Sequence, residues 1–456
     1  MNIKGRINIL LNILIPASIV SFIFLQLSLP LWHDEIYQFW YSSKDFNFIL
    51  STTRAEANYP LHTIIYKILL IIIGNENFEK IVLLHFLSLA ITFFSFFLLR
   101  KVFSIEKILI LAFILFSSEY FLRFFFEIRT YGFVFSWSFL FSTSYILTLL
   151  RDDKSYFYLL IFSGLVLSAF HPIAGLFVVS VMLKFIFENS SVSKRIFSLA
   201  LIFISCSFVF IFSSGRLLMN EDFHINSYYI HIRNTGVFMI PVIITGALLL
   251  IDFSKIRFRK ILFDISPIIF SMVVIYSYSI ITSPFYQGRY FTTFFPYLSL
   301  FLIKHLNSKH ILVLKISSLL LIIFLYGPRA ATPYTNFEGI IESSHSSGCE
   351  GVPLFLENDT GLNSDKRFKS EFDEIVYYHA EEIYSGIKRP VQSSKDTILW
   401  WKENYDDYAC RTIGISIGDN IPDANFLLKN ENNLTFSTKS VESCTKNRCG
   451  VIWNIN

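Results

Sequence analysis

Charge is what this chain has least of. Only 16% of its 456 residues are Asp, Glu, Lys or Arg, against about 25% in an ordinary soluble domain. A water-soluble globular enzyme is excluded on that ground. Hydrophobic residues make up 53%, phenylalanine alone fills 51 positions, and mean hydropathy is +0.51. This is the composition of a polytopic membrane protein. A strong excess of one sign is also missing: the net charge is +4, which gives no field that calls for nucleic acid. Internal repeats and low-complexity linkers are absent. No small-residue cleavage site follows the first apolar run, Ile7 to Leu29. At about 23 residues that run is too long for a signal-peptide core and long enough to span a bilayer.

What is present is a series of further apolar runs. They cover residues 81–99, 108–126, 132–150, 156–170, 173–187, 196–212, 236–251, 261–281, 291–303 and 311–326. With the first run they predict about eleven transmembrane helices. The run Ile64 to Ile73 differs. From His62 to Gly74 it holds about 13 residues, or roughly 20 Å, against a hydrocarbon core of about 30 Å. Laid along the surface, with the N-terminus inside, it sends every basic cluster to the cytoplasmic side. These are Arg100-Lys101-Lys107, Arg151-Lys154, Lys184 with Lys194-Arg195, Lys255-Arg257-Arg259-Lys260, and Lys304-Lys309, as the positive-inside rule expects. Making the run a span would invert each later loop and break that agreement.

Composition changes abruptly past Pro328. Residues 331–456 are polar, with no spanning run, and are expected to form a separate extracytoplasmic α/β domain behind a transmembrane domain at 1–330. Strands are expected at Val352–Leu356, Thr412–Ile417 and Phe426–Lys429, and a helix at Glu371–Ile383. Four of the five cysteines fall here: Cys349, Cys410, Cys444 and Cys449. Even numbers outside a membrane suit disulfides, and all three pairings stay open. The zinc alternative lacks a CxxC pair.

Under this topology, polar residues that suit lipid poorly converge on the outer face. Trp32-His33-Asp34-Glu35 follows the first helix, Arg54 and Glu56 lie in the same 30–80 loop, and Asn58-Tyr59-Pro60-Leu61-His62 enters the surface helix. Glu127-Ile128-Arg129-Thr130-Tyr131 ends the third span, His171 the fifth, and Gln287-Gly288-Arg289-Tyr290 opens the tenth. Each has a plainer reading. The acids are solvated loop, the arginines beside tyrosines are interfacial anchors, His171 caps a turn, and Glu119 with Arg123 is an intrahelical pair. The convergence of separate segments on one side is what points to chemistry.

The order of these elements resembles the polyprenyl-phosphate-sugar-dependent glycosyltransferases of the GT-C superfamily. The nearer likeness is to the branch of protein O-mannosyltransferases and lipid A aminoarabinose transferases. That branch has an aspartate–glutamate pair after the first helix (Asp34-Glu35) and an Asn-Pro-Pro-Leu-type element leading into a surface helix (Asn58-Tyr59-Pro60-Leu61, with Tyr59 replacing one proline). It also has an acid-x-Arg-x-Tyr element (Glu127 to Tyr131), a His-containing turn (Phe170-His171-Pro172), and a late Arg-Tyr before an apolar run broken by proline (Arg289-Tyr290, Pro296). The resemblance spans roughly residues 1 to 330 and implies a GT-C-like bundle.

It further implies a donor sugar on a polyprenyl phosphate and a hydroxyl acceptor on an extracytoplasmic lipid, glycan or protein. Asp34 is then the general base, and Glu35 orients the loop or acceptor. Arg129 and Arg289 hold the phosphate, and His33, Arg54, His62, Tyr131, His171 and Tyr290 line the pocket. Transfer is inverting, and no metal or organic cofactor is called for, because arginines supply the neutralisation. A bacterial inner membrane is the expected location. Two other classes stay open. One is a transporter or flippase of lipid-linked glycans, which favours ionisable groups on interrupted helices. The other is a glycan polymerase or ligase using a diphosphate donor.

Overall fold

The structure, a computed structural model, describes residues 3–27, 33–50, 60–73, 83–188, 191–213, 240–251, 258–281, 288–305, 311–326, 354–357, 391–393, 412–416, 436–445 and 448–455. The chain divides into two compact units. One comprises Met1–Leu27 with Lys44–Ala331, the other Ser28–Ser43 with Thr332–Asn456.

In chain order the helices are α1 (Ile3–Leu27), α2 (His33–Ser43), α3 (Pro60–Ile73), α4 (Leu83–Leu99), α5 (Ile105–Phe116) and α6 (Tyr131–Arg151). They continue with α7 (Lys154–Ser168), α8 (Pro172–Glu188), α9 (Val192–Ser213), α10 (Ile240–Ile251), α11 (Phe258–Ile281), α12 (Phe295–His305) and α13 (Ile311–Leu320). All but α2 belong to the first unit, an all-helical bundle. Among the described residues three helices are long and apolar enough to cross a membrane, lying within α6, α9 and α11. Shorter apolar helices within α1, α3, α4 and α7, and one running from α13 to Phe324, accompany them.

Helix α6 is the centre. Of its spanning window 83% is buried inside the protein, against 17% for α9 at the periphery. Helices α4, α7 and α12 pack on α6, and α8 packs on α9 and α11. The outward faces are apolar: Phe187 is 83% exposed and Phe203 74%. Water would penalise such a surface, and lipid would not.

Between helices the contacts are small hydroxyls and glycine, as membrane packing favours. Thr92 donates to Ser136 at 3.1 Å, joining α4 to α6. Ser168 and Ser205 bond at 2.8 Å, joining α7 to α9, and Ser180 and Ser271 at 2.7 Å, joining α8 to α11. A Cβ on Gly164 would stand 2.8 Å from Leu201 and 2.9 Å from Phe141. That glycine sets the close approach of α7 to its neighbours.

Where α8, α11 and α12 converge at one end, ionisable groups cluster, with Asp264 and Lys184 buried and Lys304 and His305 partly exposed. Asp264 receives Lys184 at 3.5 Å and Lys304 and His305 each at 3.3 Å. The hydroxyl of Tyr297 donates to the Asp264 carbonyl at 2.9 Å. Buried charge demands this kind of pairing; the basic-cluster pattern by itself places Lys184 and Lys304 only in cytoplasmic turns.

Three expected helices are interrupted. The run 108–126 is helical only to Phe116, then passes into a π turn at Tyr120–Phe124. The run 291–303 begins as a 3-10 turn, Gly288–Thr293, before α12 starts at Phe295 with Pro296 in its first turn. There the missing N–H of proline costs nothing. The run 311–326 likewise ends in a π turn, Leu321–Tyr326.

In the second unit the described strands are β1 (Leu354–Glu357), β2 (Val391–Ser393), β3 (Thr412–Ser416), β4 (Phe436–Thr445) and β5 (Arg448–Ile455). They form one sheet ordered β2-β1-β3-β5-β4. Strand β1 is parallel to β2 and β3, and β5 is antiparallel to β3 and β4. One edge strand is very short and the other shifts register twice, both common guards against edge pairing. The expected strands at Val352–Leu356 and Thr412–Ile417 correspond to β1 and β3. The hairpin β4–β5 was not foreseen. The expected strand Phe426–Lys429 and helix Glu371–Ile383 lie outside the described residues.

Candidate functional site

The site grows out of the break after α5. Ser117 and Ser118 turn their hydroxyls back onto the carbonyls of Phe113 and Leu115, the latter at 2.7 Å. Ser118 Oγ also accepts from the N–H of Phe121 at 3.3 Å. Such local bonding competes with the helical ladder and lets the chain leave it. The π turn follows, with Arg123 donating to Glu119 at 3.3 Å. Residues 125–130 are non-helical, and Phe125 to Ile128 are buried. Non-helical backbone inside a membrane bundle is tolerated only where protein or a cavity surrounds it.

Helix α6 then starts at Tyr131, and Gly132 lets the loop fold against it. A Cβ on Gly132 would lie 2.5 Å from the carbonyl oxygen of Phe125. His85 hydrogen-bonds the same backbone from α4. Thr130 Oγ1 donates to the carbonyl of Phe170 at 3.2 Å, tying the loop to the turn before α8.

Tyr131 is the hub. The guanidinium carbon of Arg129 lies 5.2 Å from its ring centre and that of Arg289 lies 5.7 Å away. Tyr290 is 6.4 Å from the same ring, and the His171 ring is 4.8 Å from Tyr290. Arg289 and Tyr290 stand on the 3-10 turn. That turn is held by Thr292 Oγ1 donating to the Arg289 carbonyl at 2.6 Å, and by Ser138 of α6 donating to the carbonyl of Thr293. His171 Nδ1 accepts from the N–H of Ile173 at 3.2 Å, capping α8. With Nδ1 an acceptor, the neutral ring carries its proton on Nε2.

His62, on α3, is 5% exposed and meets Tyr66 edge-on at 4.7 Å. Burial, reinforced by the charge of Arg129, pushes its pKa down to about 3. The imidazole is therefore neutral at physiological pH. Its Nε2 makes no hydrogen bond among the described residues.

Arg129, Arg289 and Glu127 all act electrostatically on Tyr131. Two guanidiniums thus stand close to one buried tyrosine ring, and guanidinium forks fit a phosphate. Among the described residues no group of three or more His, Cys, Asp or Glu is placed to hold a metal ion.

Of the residues singled out from sequence, the structure gathers Arg129, Tyr131, His171, Arg289 and Tyr290 from three segments, with His62 within electrostatic reach. Glu35 is buried on α2, in the second unit. The side chains of His33 and Asp34, and the whole of Arg54, lie outside the described residues. The turn-capping reading of His171 is correct, and the same ring also faces Tyr290. Gly132 and Glu127 were given no role from sequence. The signal for Gly132 was its place directly after the acid-x-Arg-x-Tyr element. No protein-family model, curated protein or solved structure matches this chain.

Proposed function

We propose that this chain is a polytopic membrane glycosyltransferase that moves a sugar from a polyprenyl phosphate to a hydroxyl of an extracytoplasmic lipid, glycan or protein. The observation that carries the reading is that two guanidiniums from separate segments, Arg129 and Arg289, each lie against the ring of Tyr131, 5.2 and 5.7 Å from its centre. That is a receptor for a phosphate leaving group. The proposal includes about eleven spans in a GT-C-like bundle with its N-terminus inside. It also includes an α/β domain at 331–456 facing the periplasm of a bacterial inner membrane.

In the reaction the acceptor oxygen attacks C1 of the sugar and the C1–O bond to phosphate breaks. The lipid phosphate leaves with the bonding electrons, and the anomeric centre inverts. Asp34 takes the acceptor proton, a role worth about 10²- to 10⁴-fold. Arg129 and Arg289 receive the charge that grows on the phosphate. Neutral His62 offers a hydrogen bond without adding charge. Release of free polyprenyl phosphate from a panel of lipid-phosphate sugars tests this, with Asp34→Asn and Arg289→Ala beside wild type. Turnover that collapses in both variants, with folding intact, supports the assignment. Equal turnover in all three removes it.

A second reading is favoured by the interrupted helix after α5, whose π turn carries half-buried Arg123 paired to buried Glu119. Broken helices carrying ionisable groups also serve transporters and flippases of lipid-linked glycans. Movement of a lipid-linked sugar across vesicles without loss of its phosphate bond would select that reading. Consumption of a diphosphate-linked donor alone would select a polymerase or ligase.

A further inference from the structure

Cys444 and Cys449 are Cα partners across the antiparallel strands β4 and β5, between the pairs Ser443↔Gly450 and Thr445↔Arg448. Three consecutive pairs in one register fix that opposition. Only residues 446–447 separate the closing pair. A two-residue connection puts a hydrogen-bonded pair beside the turn, and the next pair outward is non-hydrogen-bonded. Residues so opposed share one face of the sheet with Cα atoms about 4.5 Å apart. Disulfides join Cα atoms about 4.4–6.8 Å apart. The backbone therefore already has the separation a bridge requires.

We infer that Cys444 and Cys449 form a disulfide across this terminal hairpin, which leaves Cys349 and Cys410 as the second pair. Those two lie shortly before β1 and β3, which are parallel neighbours in the sheet. In forming the bridge each thiol gives up a proton and the two sulfurs join. Two electrons pass to an incoming disulfide, carried by a thiol oxidoreductase or by glutathione disulfide, which is reduced to two thiols. Such a bridge persists only in an oxidising compartment. It thus places the sheet unit outside the cytosol by an argument independent of sugar transfer.

The test is a peptide map of the full chain from its host membrane, with free thiols blocked by N-ethylmaleimide before lysis. Lys446 and Arg448 lie between the two cysteines, so trypsin cuts the intervening chain. A bridge then appears as peptides 440–446 and 449–456 linked without reductant and separated by it. That link is expected, and it should survive in a Cys349→Ser/Cys410→Ser variant. Alkylation of both Cys444 and Cys449 overturns the proposal. So does a link from either one to the peptide carrying Cys349 or Cys410.

Discussion

Gly132→Ala separates a site-positioning role from a merely structural one. The added methyl would sit 2.5 Å from the Phe125 oxygen, while ordinary contact begins near 3.4 Å. The obstacle is backbone, so the loop must retreat by about 0.9 Å. Overpacking of this kind costs about 1–3 kcal/mol, and exchanging glycine for alanine in a helix returns about 1 kcal/mol. The net loss of stability should be about 1 kcal/mol. Function should suffer more. Arg129 is carried by the same loop, and a misplacement of about 1 Å at a reacting centre costs about 100-fold in rate. The expected signature is a small drop in the melting temperature of the detergent-solubilised protein with a loss of polyprenyl-phosphate release of roughly two orders of magnitude. Gly246→Ala is the control, because among the described residues a Cβ there meets nothing within 4 Å. It should leave both measurements near wild type or raise stability slightly. Wild-type turnover in Gly132→Ala would refute the claim that this glycine sets the position of Arg129.

Arg289→Lys should cut turnover by about 10²- to 10³-fold while keeping the charge, since lysine lacks the planar fork. Adding Arg129→Lys should cost less than the two single losses combined, because groups acting as a unit are non-additive; initial rates on one donor decide this. For His62 the folded pKa, about 3, lies below the ordinary value of 6.5. The unfolded chain therefore binds the proton first, and stability present above pH 6.5 falls as pH drops toward 3. At about pH 5 the loss should be about 2 kcal/mol, read as a melting-temperature slope that flattens in His62→Gln. Asp264→Ala takes from buried Lys184 its nearer carboxylate, leaving Glu188 at 3.8 Å, and should cost about 3 kcal/mol, partly recovered by adding Lys184→Met; thermal melts of the three proteins give the comparison.

The helices were legible because burial in lipid demands long apolar runs, and that demand is written residue by residue. Thus 132–150 and 196–212 reappear as α6 and α9 within a few positions, and Pro60 opens α3 where the motif placed it. The breaks were less legible. Apolarity continues through Phe121, Phe124 and Phe125, so periodicity could not reveal that Ser117 and Ser118 capture backbone carbonyls and release the chain from its helix. The charged knot around Asp264 was hidden for a related reason. Its partners come from α8, α11 and α12, and nothing local says they meet. The terminal hairpin escaped because β4 is mostly polar and carries no alternating apolar stripe to mark it as the partner of β5.

Composition and charge placement by themselves determined a membrane class, a polar C-terminal region and the short list of arginines, tyrosines and histidines worth watching. Those follow from the cost of burying charge, which acts on every residue separately. Only the tertiary structure decided that Arg129 and Arg289 share one tyrosine ring, that His62 is held neutral near Arg129, and that Cys444 and Cys449 are register partners across β4 and β5. Such facts depend on which segments pack together, and packing is a property of the whole chain.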